Sequence, residues 1–305
     1  MFYVRFWGVR GSIACPGSST LKFGGNTTCL EIRADDRLII IDMGTGIAAL
    51  GNYLLSRDSG SAPVNSDIFF SHTHHDHLAG FPMFGPLFLD STKLRIYGPR
   101  MPGNKSIEDV LSTHMSYMYW PVRLNELSAS LQFIDLGVTR LDLGGGLTVS
   151  TTLLNHPVIC LGYRFEYKGK SIVTSFDTEI YWNIFEEGPV DDFFIEDALR
   201  AGAETTPIEN QRLLDFYEKA DILIYDTQYT DEEYTSNRHH WGHSTYKHAI
   251  AIAEKVNVKK LVLFHHDPAR NDESLTELEK TCETASKSSK GVEIIISKEG
   301  MVVET

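Results

Sequence analysis

Cysteine is scarce in this 305-residue chain. There are four, Cys15, Cys29, Cys160 and Cys282, and none has CxxC spacing. A disulfide framework is therefore excluded as the organising device of so long a chain, and a cysteine zinc knuckle is absent. The four are expected as buried or half-buried thiols of a reducing compartment. Positive charge is also in short supply: 28 Lys and Arg face 41 Asp and Glu, a formal net charge of −13. Such a surface repels nucleic acid and anionic membranes at long range. It does not bar a small anion from a pocket whose local field is set by bound metal. No apolar run is long enough to cross a bilayer. Residues 1–10 are aromatic and carry Arg5 and Arg10, without the basic start and apolar stretch of a signal peptide, so a soluble, cytoplasmic chain is expected. No repeat or low-complexity tract is present. Apolar residues make up 42% of the chain, enough for a sizeable core.

What the chain does have is a run at residues 72–77 reading His-Thr-His-His-Asp-His. Four imidazoles and a carboxylate in six positions are too many polar groups for an ordinary core segment. The plain alternative is a histidine-rich surface loop. The flanks speak against it: residues 67–71 read as a short buried strand and residues 78–84 as an apolar segment, which puts the run on a strand-to-helix loop. His72 and His74, two apart on extended chain, can face one ion. Asp76 and His77 can turn toward a second.

Further strands are expected near residues 2–7, 29–33, 38–42, 94–97, 131–134, 147–154, 161–167, 171–175, 222–225 and 261–264, with helices near 47–55, 107–119, 244–256 and 272–286 and a closing hairpin at 292–303. Ser244 is placed to cap the helix that follows it. Residues 107–121, rich in Met and aromatics, are either core or a lid. Three polar residues fall just past apolar strands, where side chains reach a shared rim: His156, Asp177 and His265. A lone histidine after a strand is usually structural, and His266 rivals His265.

The pattern H-x-H-x-D-H resembles the signature of the metallo-β-lactamase-fold hydrolases. That resemblance implies an α/β fold, a four-layer αββα sandwich. It implies one domain over residues 1–305, with insertions expected near 100–125 and in the acidic stretch 181–212. It further implies two divalent cations, zinc first and manganese or iron as alternatives. Carried over, His72, His74 and His156 hold one ion, Asp76, His77 and His265 the other, and Asp177 bridges them. Asp42, at a strand-to-turn junction, props the ligand loop by hydrogen bonding. His75 points away from the metals, and His114, His239, His240 and His248 default to solvent or core. The ions would lower the pKa of a shared water and polarise the scissile group.

Residues 241–245, Trp-Gly-His-Ser-Thr, resemble the His-Ser-Thr element of the phosphodiesterase branch, which includes the tRNA 3′-processing endonucleases. So do residues 6–12 and 24–29. The resemblance makes His243 the general acid and Asp226 its partner, with Asp76 counted beside them as catalytic. Asp226 stands where Glu is usual. Those endonucleases grip tRNA with a basic, Gly/Pro-rich arm, whereas the stretch 181–212 is acidic. The expected partner is therefore a small phosphodiester such as a cyclic nucleotide, with no folded nucleic acid and no membrane; a homodimer stays open. Arg10, Arg164 or Lys22 would bind phosphate, and Tyr119, Trp120 or Trp241 would stack on a base. Two other readings are kept: a lactone, thioester or carboxyl-ester hydrolase on the same site, and a non-catalytic nucleotide or redox sensor. The di-iron members carry Glu where His74 stands, which counts against the sensor.

Overall fold

The computed structural model describes residues 1–56, 63–186, 195–289 and 291–305. Among the described residues fourteen strands fall into two seven-stranded sheets. The first contains β1 (Phe2–Gly8), β2 (Cys29–Ala34), β3 (Arg37–Ile41), β4 (Asn65–Phe69), β5 (Lys93–Pro99) and β6 (Ser130–Leu136). The second contains β7 (Arg140–Gly144), β8 (Leu147–Leu154), β9 (Cys160–Tyr167), β10 (Lys170–Ser175), β11 (Ile222–Asp226), β12 (Lys260–Phe264) and β13 (Glu293–Ile296). The final strand, β14 (Val302–Glu304), returns to the first sheet and pairs with β1.

Both sheets follow one plan. Neighbours run antiparallel at one side, through β14-β1-β2-β3 and through β7-β8-β9-β10, then parallel to the other edge. Parallel neighbours need a crossover. Helices supply most of them: α1 (Ile47–Ser56), the one-turn α2 (His75–Leu78) and α3 (Ile107–His114) in the first half, and α4 (Ile195–Tyr217) in the second. The short α5 (Asp231–Glu233) runs into a π-turn at Tyr234–Arg238, and α6 (Tyr246–Lys255) and α7 (Asp272–Ser288) complete the set.

Three apolar layers separate four structural ones. Phe6, Ile41, Phe69, Phe165, Ile224 and Phe264 fill the space between the sheets. One outer layer joins the first sheet to α1 and α3, and another joins the second sheet to α4, α6 and α7. Strand burial follows from this. β1 alternates buried and half-buried residues, while β11, covered on both faces, is buried throughout. At the centre Phe69 stacks on Tyr97 with ring centroids 4.5 Å apart and meets Phe165 edge-on at 5.3 Å. The αββα sandwich expected from the sequence is what the chain forms.

Several local expectations differ. The helix at 107–119 stops at His114, so Met115 enters the core while Met118 and Tyr119 stand exposed. The hairpin at 292–303 does not form: Gly300 turns the chain at φ +81°, and its N–H donates to the Phe6 carbonyl, sending β14 to the other sheet. β7 was not foreseen. Of the stretch 181–212, residues 187–194 lie outside the described residues, and α4 accounts for its later part. All four cysteines are free thiols, three buried and Cys15 half-buried. Among the described residues no helix is long and apolar enough to cross a membrane.

Candidate metal centre

The polar cluster collects at the C-terminal ends of β3, β4, β8, β10, β11 and β12, where the chain leaves its sheets. After β4 the backbone stays extended through His74 (φ −66°, ψ 152°) and then winds into α2. That switch sends His72 and His74 to one side and Asp76 and His77 to the other. Two groups of ligand-type side chains result: His72, His74, His156 and Asp177, and Asp76, His77, Asp177 and His265.

Four of the five imidazoles are anchored by the nitrogen facing away from the centre. His77 Nδ1 lies 2.8 Å from Asp42 Oδ2, His265 Nδ1 lies 3.0 Å from Gln228 Oε1, and His156 Nδ1 lies 3.0 Å from the Gly242 carbonyl. His72 Nδ1 lies 3.1 Å from Ser71 Oγ. These contacts leave the Nε2 lone pairs directed inward, as metal-ligating histidines require. His74 turns Nδ1 inward instead, 3.0 Å from His156 Nε2.

Asp177 sits between the groups with one oxygen toward each. Its Oδ2 is 3.4 Å from His72 Nε2, and its Oδ1 is 3.3 Å from His77 Nε2 and 3.2 Å from His265 Nε2. Asp76 Oδ2 is 3.3 Å from His77 Nε2 and 3.2 Å from His265 Nε2. Zinc bonds of ~2.0–2.1 Å in a tetrahedron set neighbouring ligand atoms about 3.3 Å apart. The donor spacing therefore fits cations. Buried His72 Nε2 and Asp177 Oδ1 lack a hydrogen-bond partner in the protein, a costly state that a metal would relieve.

Asp42 is fully buried in a left-handed conformation (φ +57°) and accepts from Ser71 N–H and Ser71 Oγ, each at 2.7 Å, besides its contact with His77. It holds the start of the ligand loop and one histidine together. Burial pushes its carboxyl up, against the pull of His77. Burial drags His72 well below its ordinary value and His156 down to about 4, keeping both neutral and able to bind metal at pH 7. His77 goes the other way: burial opposes its charge, but Asp177, Asp76 and Asp42 raise it well above.

Backbone packing is tight at two points. A Cβ on Gly11 would lie 2.4 Å from the His265 ring, and one on Gly242 would lie 2.3 Å from His156 Nδ1. His265 itself adopts φ +65°, a strained conformation for histidine of the kind found at functional sites.

Beside this cluster His243 Nδ1 lies 2.7 Å from Asp226 Oδ2. Asp226 is fully buried at the end of β11; its Oδ1 accepts from Gln228 N–H at 3.0 Å and its Oδ2 from Thr178 N–H at 3.2 Å. The His243 ring stacks on His265 with centroids 5.1 Å apart. Burial works against charge on His243, but the Asp226 carboxylate and its hydrogen bond, with Asp177 and Asp76 beyond, raise it to about 9.

All the site residues expected from the sequence thus converge. His266 does not: its ring donates to the Ser297 carbonyl at 2.9 Å, and burial drops its pKa to about 3. His75 is exposed, 5.7 Å ring to ring from His114. The phosphate ligands were misplaced. Arg10 is fully buried and donates to the carbonyls of Gly24, Asp267 and Arg270. Lys22 pairs with Glu279, and Arg164 with Glu166 and the Phe216 carbonyl. The cap of α6 is Thr245; Ser244 Oγ instead donates to the Thr178 carbonyl at 2.6 Å. Tyr119 and Trp120 line a cavity of about 540 Å³ behind the ligand loop, with Thr73 and His75. Gln228, Ser71 and Glu179 were missed; Gln228 and Glu179, each two residues beyond an aspartate at a strand end, carried a local signal.

No family model matches the chain. Ribonuclease Z of Thermoplasma acidophilum is 27% identical over 297 residues, covering 89% of this chain and 88% of its own length. The crystal structure of the metallo-β-lactamase-fold protein YhfI from Bacillus subtilis superposes with a TM-score of 0.65 at 20% identity, covering 100% of this chain and 99% of that one. The chain has the metallo-β-lactamase fold and is similar in sequence to ribonuclease Z. The short form of human tRNase Z superposes with a TM-score of 0.61 at 19% identity over 99% of this chain and 98% of its own.

These likenesses correct one expectation. A small-molecule partner, with folded nucleic acid excluded, was inferred from the −13 charge and the acidic 181–212 stretch. The relatives are enzymes named for RNA and tRNA. The inference failed because net charge sums the whole surface, whereas a phosphodiester responds to charge within about 10 Å, the Debye length at 0.1 M salt. Divalent cations held by the donor groups at the strand ends would dominate that range.

Proposed function

We propose that the chain cleaves a phosphodiester bond in RNA. The observation that carries this is the 2.7 Å His243–Asp226 contact, set against a double donor cluster in a chain that resembles ribonuclease Z along most of its length. His72, His74 and His156 would hold one cation and Asp76, His77 and His265 the other, with Asp177 between. Imidazole and carboxylate in this ratio suit zinc. Bound there, the cations would acidify a water and polarise the phosphoryl group.

The protein's own part is positional and protic. Asp226 accepts a hydrogen bond from His243 Nδ1–H and stays ionised, fixing the ring so that Nε2–H faces the cleft. From there His243 donates to the leaving oxygen as the P–O bond breaks. Stacking on His265 keeps the acid beside the second donor group. Trp241, 53% exposed two residues before it, carries the Arg238 guanidinium 4.7 Å from its ring centroid. A flat ring with a cation beside the acid is a platform for a nucleobase and its phosphate.

Zinc-loaded protein should release the 3′ trailer of a precursor tRNA and turn over bis(p-nitrophenyl) phosphate. Turnover of lactones with neither phosphodiester cleaved would refute the proposal. His243→Ala should lose about 10²–10⁴-fold on RNA while retaining its metal.

A further inference from the structure

A second group of donors lies one loop away from the metal centre. Glu179 follows Asp177 and Thr178 past the end of β10 and is 2% exposed. Its Oε1 accepts from His240 N–H at 2.9 Å and from the Tyr234 hydroxyl, and its Oε2 accepts from Gly242 N–H at 3.1 Å. His239 Nδ1 and His240 Nε2 face each other at 3.0 Å, the same close approach of imidazole nitrogens that His74 and His156 make in the main cluster. One ligand atom from each of Glu179, His239 and His240 falls within a 4.8 Å span.

The surroundings hold these rings still. Trp182 lies over His240 with centroids 3.6 Å apart, and Tyr234 packs on His239 at 4.7 Å. His240 sits at φ +69°, an uncommon backbone state for a residue with a side chain. Two adjacent histidines turned onto one buried carboxylate need that reversal of the chain.

We propose that Glu179, His239 and His240 form a third divalent-cation site, distinct from the pair at the strand ends. Two imidazoles and a carboxylate are borderline donors that select zinc-type ions over magnesium or calcium. Three protein ligands leave a fourth tetrahedral position to water. The site is a strut. Glu179 already holds Gly242 N–H, the Gly242 carbonyl meets His156 Nδ1 at 3.0 Å, and His243 comes next in the chain. A cation here ties the segment carrying the general acid to the strand end that carries Asp177, so its occupancy sets how firmly His243 and His156 are placed.

The test is zinc content after equilibrium dialysis against a buffered free-zinc series. The double variant H239N/H240N should bind one zinc fewer per chain than wild type. His74→Ala, made in the main cluster, should keep the additional zinc and lose it only when combined with the double variant. Equal zinc content in wild type and H239N/H240N overturns the proposal, whatever the protein's activity on RNA. Near-ultraviolet circular dichroism checks folding. Should the double variant not fold, His239→Asn alone must weaken the additional site at least tenfold, and an unchanged zinc isotherm counts against it equally.

Discussion

Replacing Asp226 by Asn tests whether His243 works as an acid. The substitution keeps size and removes charge. Asp226 Oδ2 faces two donors, His243 Nδ1 at 2.7 Å and Thr178 N–H at 3.2 Å. An amide nitrogen there would meet donors on both sides, and an amide oxygen there would put NH₂ against the Gln228 N–H that Oδ1 now accepts. Either way His243 loses its charged partner, and in the first orientation the acceptor that fixes its tautomer as well. Buried as it is, the ring would then fall from about 9 to its ordinary 6.5 or below. At pH 8 the protonated fraction would drop from about 0.9 to about 0.03, roughly a 30-fold loss that grows with pH. Cations at Asp76 and Asp177 offset two of the charges that raise His243, so about 9 is the upper end for the wild type. The assay is kcat/KM against pH on two diesters. A ribose leaving group needs a proton; p-nitrophenolate, a stable anion, scarcely does. Asp226→Asn should move the alkaline limb to lower pH on RNA and change p-nitrophenyl release far less. An unmoved limb, or equal losses on both diesters, would refute the acid role.

Three further outcomes are expected. Chelation should lower the melting temperature, since ions held at 100 times their Kd add about 2.7 kcal/mol to the folded state, and zinc should restore it. Asp42→Ala strands Ser71 N–H and His77 Nδ1 in the core; it should cost about 3 kcal/mol in denaturant titrations and weaken metal binding roughly 10- to 100-fold. Phe69→Ala removes the ring that Tyr97, Tyr163 and Phe165 pack against and should cost about 3–5 kcal/mol without changing metal stoichiometry.

The ligand loop could be read from sequence because its donors are contiguous and the strand-to-helix switch fixes their directions. His156, Asp177, Asp226 and His265 could be read because each ends an apolar strand, and parallel strands of one sheet finish at one edge. Asp42 also ends a strand, and a family resemblance supplied its role. Arg10 could not be placed: what buries it are carbonyls 257 and 260 residues away, which leave no local trace. The aromatic stripe at 107–121 misled because one run serves two environments, core at Met115 and solvent at Tyr119. β13 and β14 look like a hairpin because a glycine turn separates them, yet strand partners are chosen by the two sheets. Whole-chain charge misled for a related reason: it carries no position.

The two donor groups also lie far apart in time. On a ribosome adding roughly 5–20 residues per second, His77 is made some 10–40 s before His265, 188 positions later. His156 and Asp177 complete the first group part-way through that interval, whereas Asp76 and His77 wait for His265 to its end. An unfinished chelator of this kind takes whichever ion is most available, so metal identity in the finished protein is open to decision during synthesis, before the fold exists to discriminate.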